Sequence, residues 1–334
     1  MIRSHSRSST VLVFLVTLSI ILTSPLQPRL SLAQSTFNYA DALQKAIWFF
    51  DANKCGPNVA QDNVFPWRGP CHLNDGSAAS PARDLTGGFH DAGDHVKFGL
   101  PQGFSAGVLG WTLYEYRADF DQAGLTAKTL RTLKYFTDYF LKCHPNATTF
   151  YYQVGDGNAD HGFWGSPENQ TGTRPLFVAT PSAPAIDVLG QHAAALALMS
   201  INYRSTDAAY ANQCLTAARE LFDLARNNVA TCGGNCRSQD GGDFYNSSSH
   251  YDDLAWAAIW MSIATGDQTF LTPVDGWISQ PNDTNDNPYQ KRWTMAWDDM
   301  TLANLLKMHQ LTGLTKYRDG LRNNLDWYRD TLQK

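Results

Sequence analysis

The stretch Leu215-Thr216-Ala217-Ala218-Arg219-Glu220-Leu221-Phe222-Asp223-Leu224-Ala225 places Leu215, Ala218, Phe222 and Ala225 three or four residues apart. Side chains at that spacing share one face of a helix, and Arg219 and Asp223 fall on the other. The same spacing recurs outward in both directions. Toward the N-terminus it joins Leu189, Ala193 and Leu196, then Leu133, Phe136 and Phe140. Before those come Leu109, Leu113, Tyr116 and Phe120, and first of all Leu43, Ile47 and Phe50. Toward the C-terminus it joins Trp256, Trp260 and Ile263, then Leu321, Leu325 and Tyr328. Alternating strand patterns are scarce, so the spacing predicts an all-α fold.

Between these helices lie long segments rich in Gly, Pro, Asn and Asp, notably 54–103, 144–183 and 229–250. Loops of such length inside a compact domain usually carry function. No linker or fixed-period repeat divides the chain, and one domain over 34–334 is the simplest organisation. Residues 1–33 read instead as a secretory leader. Arg3 and Arg7 precede an apolar run from Val11 to Leu22, and Ser31-Leu32-Ala33 supplies small residues before Gln34. That run is too short to cross roughly 30 Å of hydrocarbon, which sets a membrane anchor aside. The chain is therefore expected to be secreted and extracellular.

The leader holds three of the 26 basic residues (Arg3, Arg7, Arg29) and no acid, leaving 23 against 31 acidic ones. A net charge that negative argues against nucleic acid or an anionic membrane as partner. All six cysteines lie beyond the leader, and export permits disulfides. Cys55 with Cys71 and Cys232 with Cys236 are the expected local pairs. A zinc site is the rival reading, disfavoured by the exported context and the lack of a second close cysteine pair.

The segment Asp84-Leu85-Thr86-Gly87-Gly88-Phe89-His90-Asp91-Ala92-Gly93-Asp94-His95-Val96-Lys97-Phe98 concentrates carboxylates, histidines and glycines. Its glycines permit tight turns and positive φ, which would bring Asp91 and Asp94 together with His90, His95 and Lys97 nearby. Crowded carboxylates raise one another's pKa and a cation lowers it, so one carboxylate could stay ionised to polarise a water. A calcium loop or a capped turn has the same appearance, and spacing alone leaves the role open.

This run, continued by Gly99-Leu100-Pro101, resembles the catalytic-base signature of glycoside hydrolase family 9. The resemblance extends upstream to 37–45 and Trp67-Arg68-Gly69, and downstream through Asp160-His161, Trp164, Pro167-Glu168 and Ala179-Thr180-Pro181-Ser182. It implies an (α/α)6 toroid, incomplete here, with a β-1,4-glucan such as cellulose as partner and substrate. It also implies an endoglucanase acting with inversion, Asp94 matching the general base and Asp91 the carboxylate that helps hold the water. No organic cofactor is implied. An unrelated helical toroid, such as a polysaccharide lyase, would not explain the Asp84–Pro101 match.

Inversion requires a second, protonated carboxyl group roughly 6.5–9.5 Å from the first. In the family this is a glutamate near the C-terminal end of the catalytic domain, and the chain is expected to stop at Lys334 before it. Glu115, Glu168 and Glu220 are the only glutamates present, and none is a good substitute. The chain is thus expected to be truncated and poorly active; the alternative is a non-catalytic glucan-binding protein with a degenerate site.

By the same resemblance His161 contacts substrate and Trp293 forms a sugar-stacking platform. A hydrogen-bonded loop histidine is the plainer reading of His161. Trp48, Trp111, Trp256, Trp260 and Trp327 sit at helical spacing and are expected in the core. Ser248-Ser249-His250-Tyr251-Asp252-Asp253-Leu254 opens a helix, and its acids suit capping. It also resembles a structural calcium element, with Ser248, Asp252, Asp253 and the distant Asp298 as ligands of hard-oxygen type. Asp253 replaces the usual glutamate, Gln191 replaces a glutamate of the inner helix, and Ser166 stands where arginine is common.

Overall fold

Nearly every residue between Ile186 and Tyr203 is apolar or small, and a helix of that composition must be enclosed on all sides. In the computed structural model only Ile201 and Tyr203 of this helix are even half-exposed. The structure describes residues 37–234, 236–239, 243–280, 287, 289 and 293–332. The chain divides into two compact units, Met1–Asp41 and Ala42–Lys334. Only 37–41 of the first are described, and the leader read in 1–33 lies outside the described residues.

The longer helices are α1 (Tyr39–Asn53), α2 (Gly99–Glu115), α3 (Thr126–Cys143), α4 (Ile186–Tyr203), α5 (Ala208–Asn228), α6 (Tyr251–Thr265), α7 (Thr301–Thr312) and α8 (Thr315–Trp327). Helix α4 packs against α2, α5 and α6, and α6 against α7. Two kinds of helix result. α3 and α5 bury one stripe, with Ala218, Phe222 and Ala225 of α5 inward and Leu215 at the boundary. α4 and α6 are buried all round, so the single stripe expected from Trp256, Trp260 and Ile263 does not describe α6. Close helix approach explains a glycine: a Cβ at Gly190 of α4 would meet the Asp253 backbone of α6 at 2.6 Å. Trimming a core side chain such as Leu196 to Ala should cost about 2–5 kcal/mol.

Two strands, Phe150–Val154 (β1) and Leu176–Ala179 (β2), pair antiparallel within the segment read from sequence as loop. They are short and β1 is buried on nearly every residue, so no alternation betrays them. β1 fixes the loop that precedes α2, because Lys97 N donates to Val154 O at 3.0 Å and Val154 N to Lys97 O at 3.3 Å. Among the described residues no helix is long and apolar enough to cross a membrane.

Cys232 and Cys236 form a disulfide. Cys55 and Cys71 do not: both are free thiols, as are Cys143 and Cys214.

Candidate active site

The Asp84–Phe98 loop turns where its sequence allows. Gly87 and Gly88 adopt φ of 102° and 74°, and a Cβ on Gly88 would strike the Tyr139 ring at 2.6 Å. Gly93 needs no such freedom, since nothing lies within 4 Å of a Cβ there. Beyond the turn the backbone is tied down by hydrogen bonds from Asp91 N to Val96 O, 3.1 Å, and from His95 N to Asp160 Oδ1, 2.9 Å.

Asp91 and Asp94 emerge together in a cleft of about 660 Å³ lined also by His161, Trp164, Phe244, Tyr245 and Trp297. The Asp94 side chain is 9% exposed; its Oδ1 accepts Val96 N at 3.0 Å and its Oδ2 faces His161 Nε2 at 3.3 Å. His161 follows a one-turn helix, Gly157–Asp160, whose cap Asp156 accepts Ala159 N at 2.9 Å. Asp91 Oδ2 accepts the Tyr245 hydroxyl. Burial pushes the Asp91 carboxyl up to about 6, with the Tyr245 hydroxyl opposing and the Asp94 charge reinforcing the rise. Burial raises Asp94 as well, against the hydrogen bonds from His161 and Val96 N.

Lys97 is not part of this cleft, contrary to the sequence reading. Its Nζ is buried against Asp75 Oδ2 at 2.7 Å and donates to Leu85 O and Gly87 O at 2.6 and 3.2 Å. Asp75 also holds Arg174, whose Nε lies 2.7 Å from Oδ1 and whose other end donates to His95 O at 2.9 Å. One buried carboxylate thereby gathers two cations that clamp both flanks of the Asp91–Asp94 loop.

His90 has left the cleft too. It joins Cys55, Cys71 and His72 in a cluster whose ligand atoms all lie within 4.8 Å of one another. Two thiols and two imidazoles at that separation are a tetrahedral zinc donor set. His72 Nε2 meets Gln170 Oε1 at 2.8 Å, the outer contact that orients a ligating imidazole. Hydrogen bonding from Cys55 leads in lowering Cys71 to about 7, against its burial and with help from Gly56 N and the Arg68 charge. The free thiols overturn the expected Cys55–Cys71 disulfide, and the four side chains are a group that could hold a metal ion. Histidines, not a second cysteine pair, complete this group.

The expected calcium residues meet at the start of α6. Ser248 N donates to Asp298 Oδ1, and Asp252 Oδ2 accepts Met300 N at 2.8 Å. Asp253 is fully buried; Oδ1 accepts Gln191 Nε2 at 2.7 Å, and Oδ2 accepts no hydrogen bond among the described residues. Burial, then the charges of Asp252 and Asp187, push Asp253 well above the usual carboxylate range. A buried carboxylate oxygen that accepts no hydrogen bond, as Asp253 Oδ2 is, suits a hard divalent ion.

Trp293 is 57% exposed and does not line the cleft; Trp297, four residues on, does, with its ring 4.9 Å from Tyr245. Sequence reasoning missed Tyr245 and Phe244, although an aromatic pair in a Gly- and Asp-rich loop was a usable hint. All three glutamates are engaged elsewhere: Glu115 with Trp111 and Lys307, Glu168 with Arg68 and Gly69, Glu220 with His144.

Residues 39–334 match the profile of glycosyl hydrolase family 9. The chain belongs to that family. Its layering of enclosed and one-sided helices is that of the family's (α/α)6 toroid, as the resemblance implied. Endoglucanase 4 of Bacillus sp. (strain KSM-522) is 41% identical over 302 residues, covering 88% of this chain and 45% of the relative. Endoglucanase 15 of Arabidopsis thaliana is 38% identical over 273 residues, covering 80% and 51%. Among solved structures, the cellulase Cel9M of C. cellulolyticum superposes with a TM-score of 0.81 at 52% identity, covering 89% of this chain and 67% of that one. The family 9 chain described here thus spans about half the length of the curated relatives it matches.

Proposed function

We propose that this chain carries the water-activating side of an endo-β-1,4-glucanase site that works with inversion. The reading rests chiefly on Asp94, an inward-facing carboxylate positioned by Val96 N and His161 on the wall of an aromatic cleft. Water at the sugar's anomeric carbon would give its proton to Asp94, with Asp91 and Tyr245 holding it in line. Trp164 and Trp297 offer ring faces to the apolar faces of glucose units. Similar solved chains point to the same substrate class, among them a Clostridium thermocellum endoglucanase, CelQ, complexed with cellotetraose. Calcium at Ser248, Asp252, Asp253 and Asp298 and zinc at the Cys55 cluster are proposed as structural ions that brace the helix start and the base loop. Secretion is proposed from the leader.

No glutamate lines the cleft among the described residues, and that favours a second reading, a glucan binder without turnover. Missing acid assistance costs a factor of roughly 10² to 10⁴. β-Cellobiosyl fluoride separates the two, because fluoride leaves without a proton. Water forms the new bond to the anomeric carbon, the carbon–fluorine bond breaks, and Asp94 takes the proton. The enzyme reading expects fluoride release with α-cellobiose as first product, abolished in Asp94→Asn. Binding of cellotetraose with no release above the Asp94→Asn background would establish the binder instead.

A further inference from the structure

A second recess, of about 490 Å³, opens between α3, α5 and the loop after α1 and shares no lining residue with the cleft. Its volume is that of a ligand site, roughly 300–1,000 Å³. Tyr135 and Tyr210 stand in its walls with both hydroxyls tethered. Tyr135 donates to Cys55 O at 2.6 Å, and Tyr210 to Asp138 Oδ1 at 2.7 Å. The rings are therefore held before anything binds, which removes an ordering cost.

The charged groups of the recess are already matched. Asp138 accepts Lys134 Nζ at 2.7 and 2.8 Å, and Lys142 pairs with Asp84 at 2.8 Å and donates to Thr86 O at 3.0 Å. Neither an anion nor a cation finds an unmatched partner there. Asn58, Gln61 and Gln213 are exposed at the recess, and their side-chain amides make no hydrogen bond among the described residues. Fixed aromatic rings beside free amide donors and acceptors are the chemistry that holds a neutral polyol: carbon–hydrogen faces on the rings, hydroxyls on the amides.

We propose that this recess is a second saccharide site, taking a short neutral oligosaccharide. That the sugar is a β-1,4-glucan rests on the function proposed above; that it is a neutral polyol rests on the recess itself. The site abuts the base loop, since Thr86 and Gly87 line it and Gly87 O accepts Lys97 Nζ at 3.2 Å.

Calorimetric titration of the full chain with cellotetraose tests this, read beside amide chemical shifts and with folding checked by circular dichroism. Two classes of site are expected. Gln213→Trp should fill the recess and remove one class, and Gln61→Ala should weaken that class by about tenfold. Trp164→Ala should weaken only the other. If Gln213→Trp and Gln61→Ala bind like the parent, or the tetrasaccharide leaves the recess shifts unmoved, the second site is overturned. If Trp164→Ala binds like the parent while Gln213→Trp abolishes binding, the recess stands and the glucan reading of the cleft falls.

Discussion

His161 Nε2 lies 3.3 Å from Asp94 Oδ2, joining a half-exposed loop histidine to a carboxylate that is otherwise nearly enclosed. The contact favours the ionised carboxylate and opposes the rise that burial imposes. Replacing His161 with Ala should therefore raise the Asp94 pKa further. Fluoride release from β-cellobiosyl fluoride should fall, and the acidic limb of its pH profile should move to higher pH. An unmoved limb would show that His161 binds sugar without tuning the base.

Tyr245 acts on Asp91 in the same sense, because its hydroxyl holds down a carboxyl already raised to about 6. Tyr245→Phe removes that donor. More Asp91 is then protonated at pH 6 than in the parent, while at pH 8 it stays ionised in both. The loss of rate should be several-fold larger at pH 6 than at pH 8, whereas a pH-independent loss would indicate displaced sugar.

Asp75→Asn leaves Lys97 and Arg174 buried without their carboxylate. Removing one partner of a buried ion pair costs about 3–5 kcal/mol. The urea midpoint should drop accordingly. Below the melting range, where the variant is still folded, it should also release fluoride more slowly, since both clamps on the base loop slacken.

Purified chain should carry one zinc, detected by emission spectroscopy and lost in Cys71→Ser. Loss of the metal should lower the melting temperature, because ion binding contributes directly to folding. Mass spectrometry that found Cys55 linked to Cys71, with no bound metal, would remove the site.

Calcium should raise the melting temperature of chelator-treated chain, and Asp253→Asn should abolish most of that response. The same substitution should stabilise the calcium-free chain, because it removes a buried carboxylate that lacks a cation. Equal calcium responses in parent and variant would place the ion elsewhere.

The one-sided helix α5 was legible, since exposure on one side imposes its three-four spacing. In α8 the expected stripe fails: Leu325 is 52% exposed, and Tyr317, Gly320 and Asn324 are the buried residues. α6 was not legible in that way, because enclosure on all sides erases periodicity. The Asp91–Asp94 turn could be read from its glycines and acids. Lys97 could not: sequence proximity says nothing about the direction of a long side chain, and Asp75 draws it inward. Tyr245 and Trp297 escaped because the cleft assembles from loops far apart in the chain. His72 adjoins Cys71 in the chain, but Cys55 and His90 join that pair only on folding.

The backbone bridge between Val154 and Lys97 has a consequence for how this scaffold can diversify. It meters the distance from the base loop to the turn bearing His161, so length changes between these anchors would mistime one wall of the cleft against the other. The stretch 171–173 carries no such duty: it is exposed, although Gly172 holds a φ of 129° that favours glycine. Variation in reach can therefore accumulate at that tip while the spacing of Asp94 and His161 is inherited unchanged.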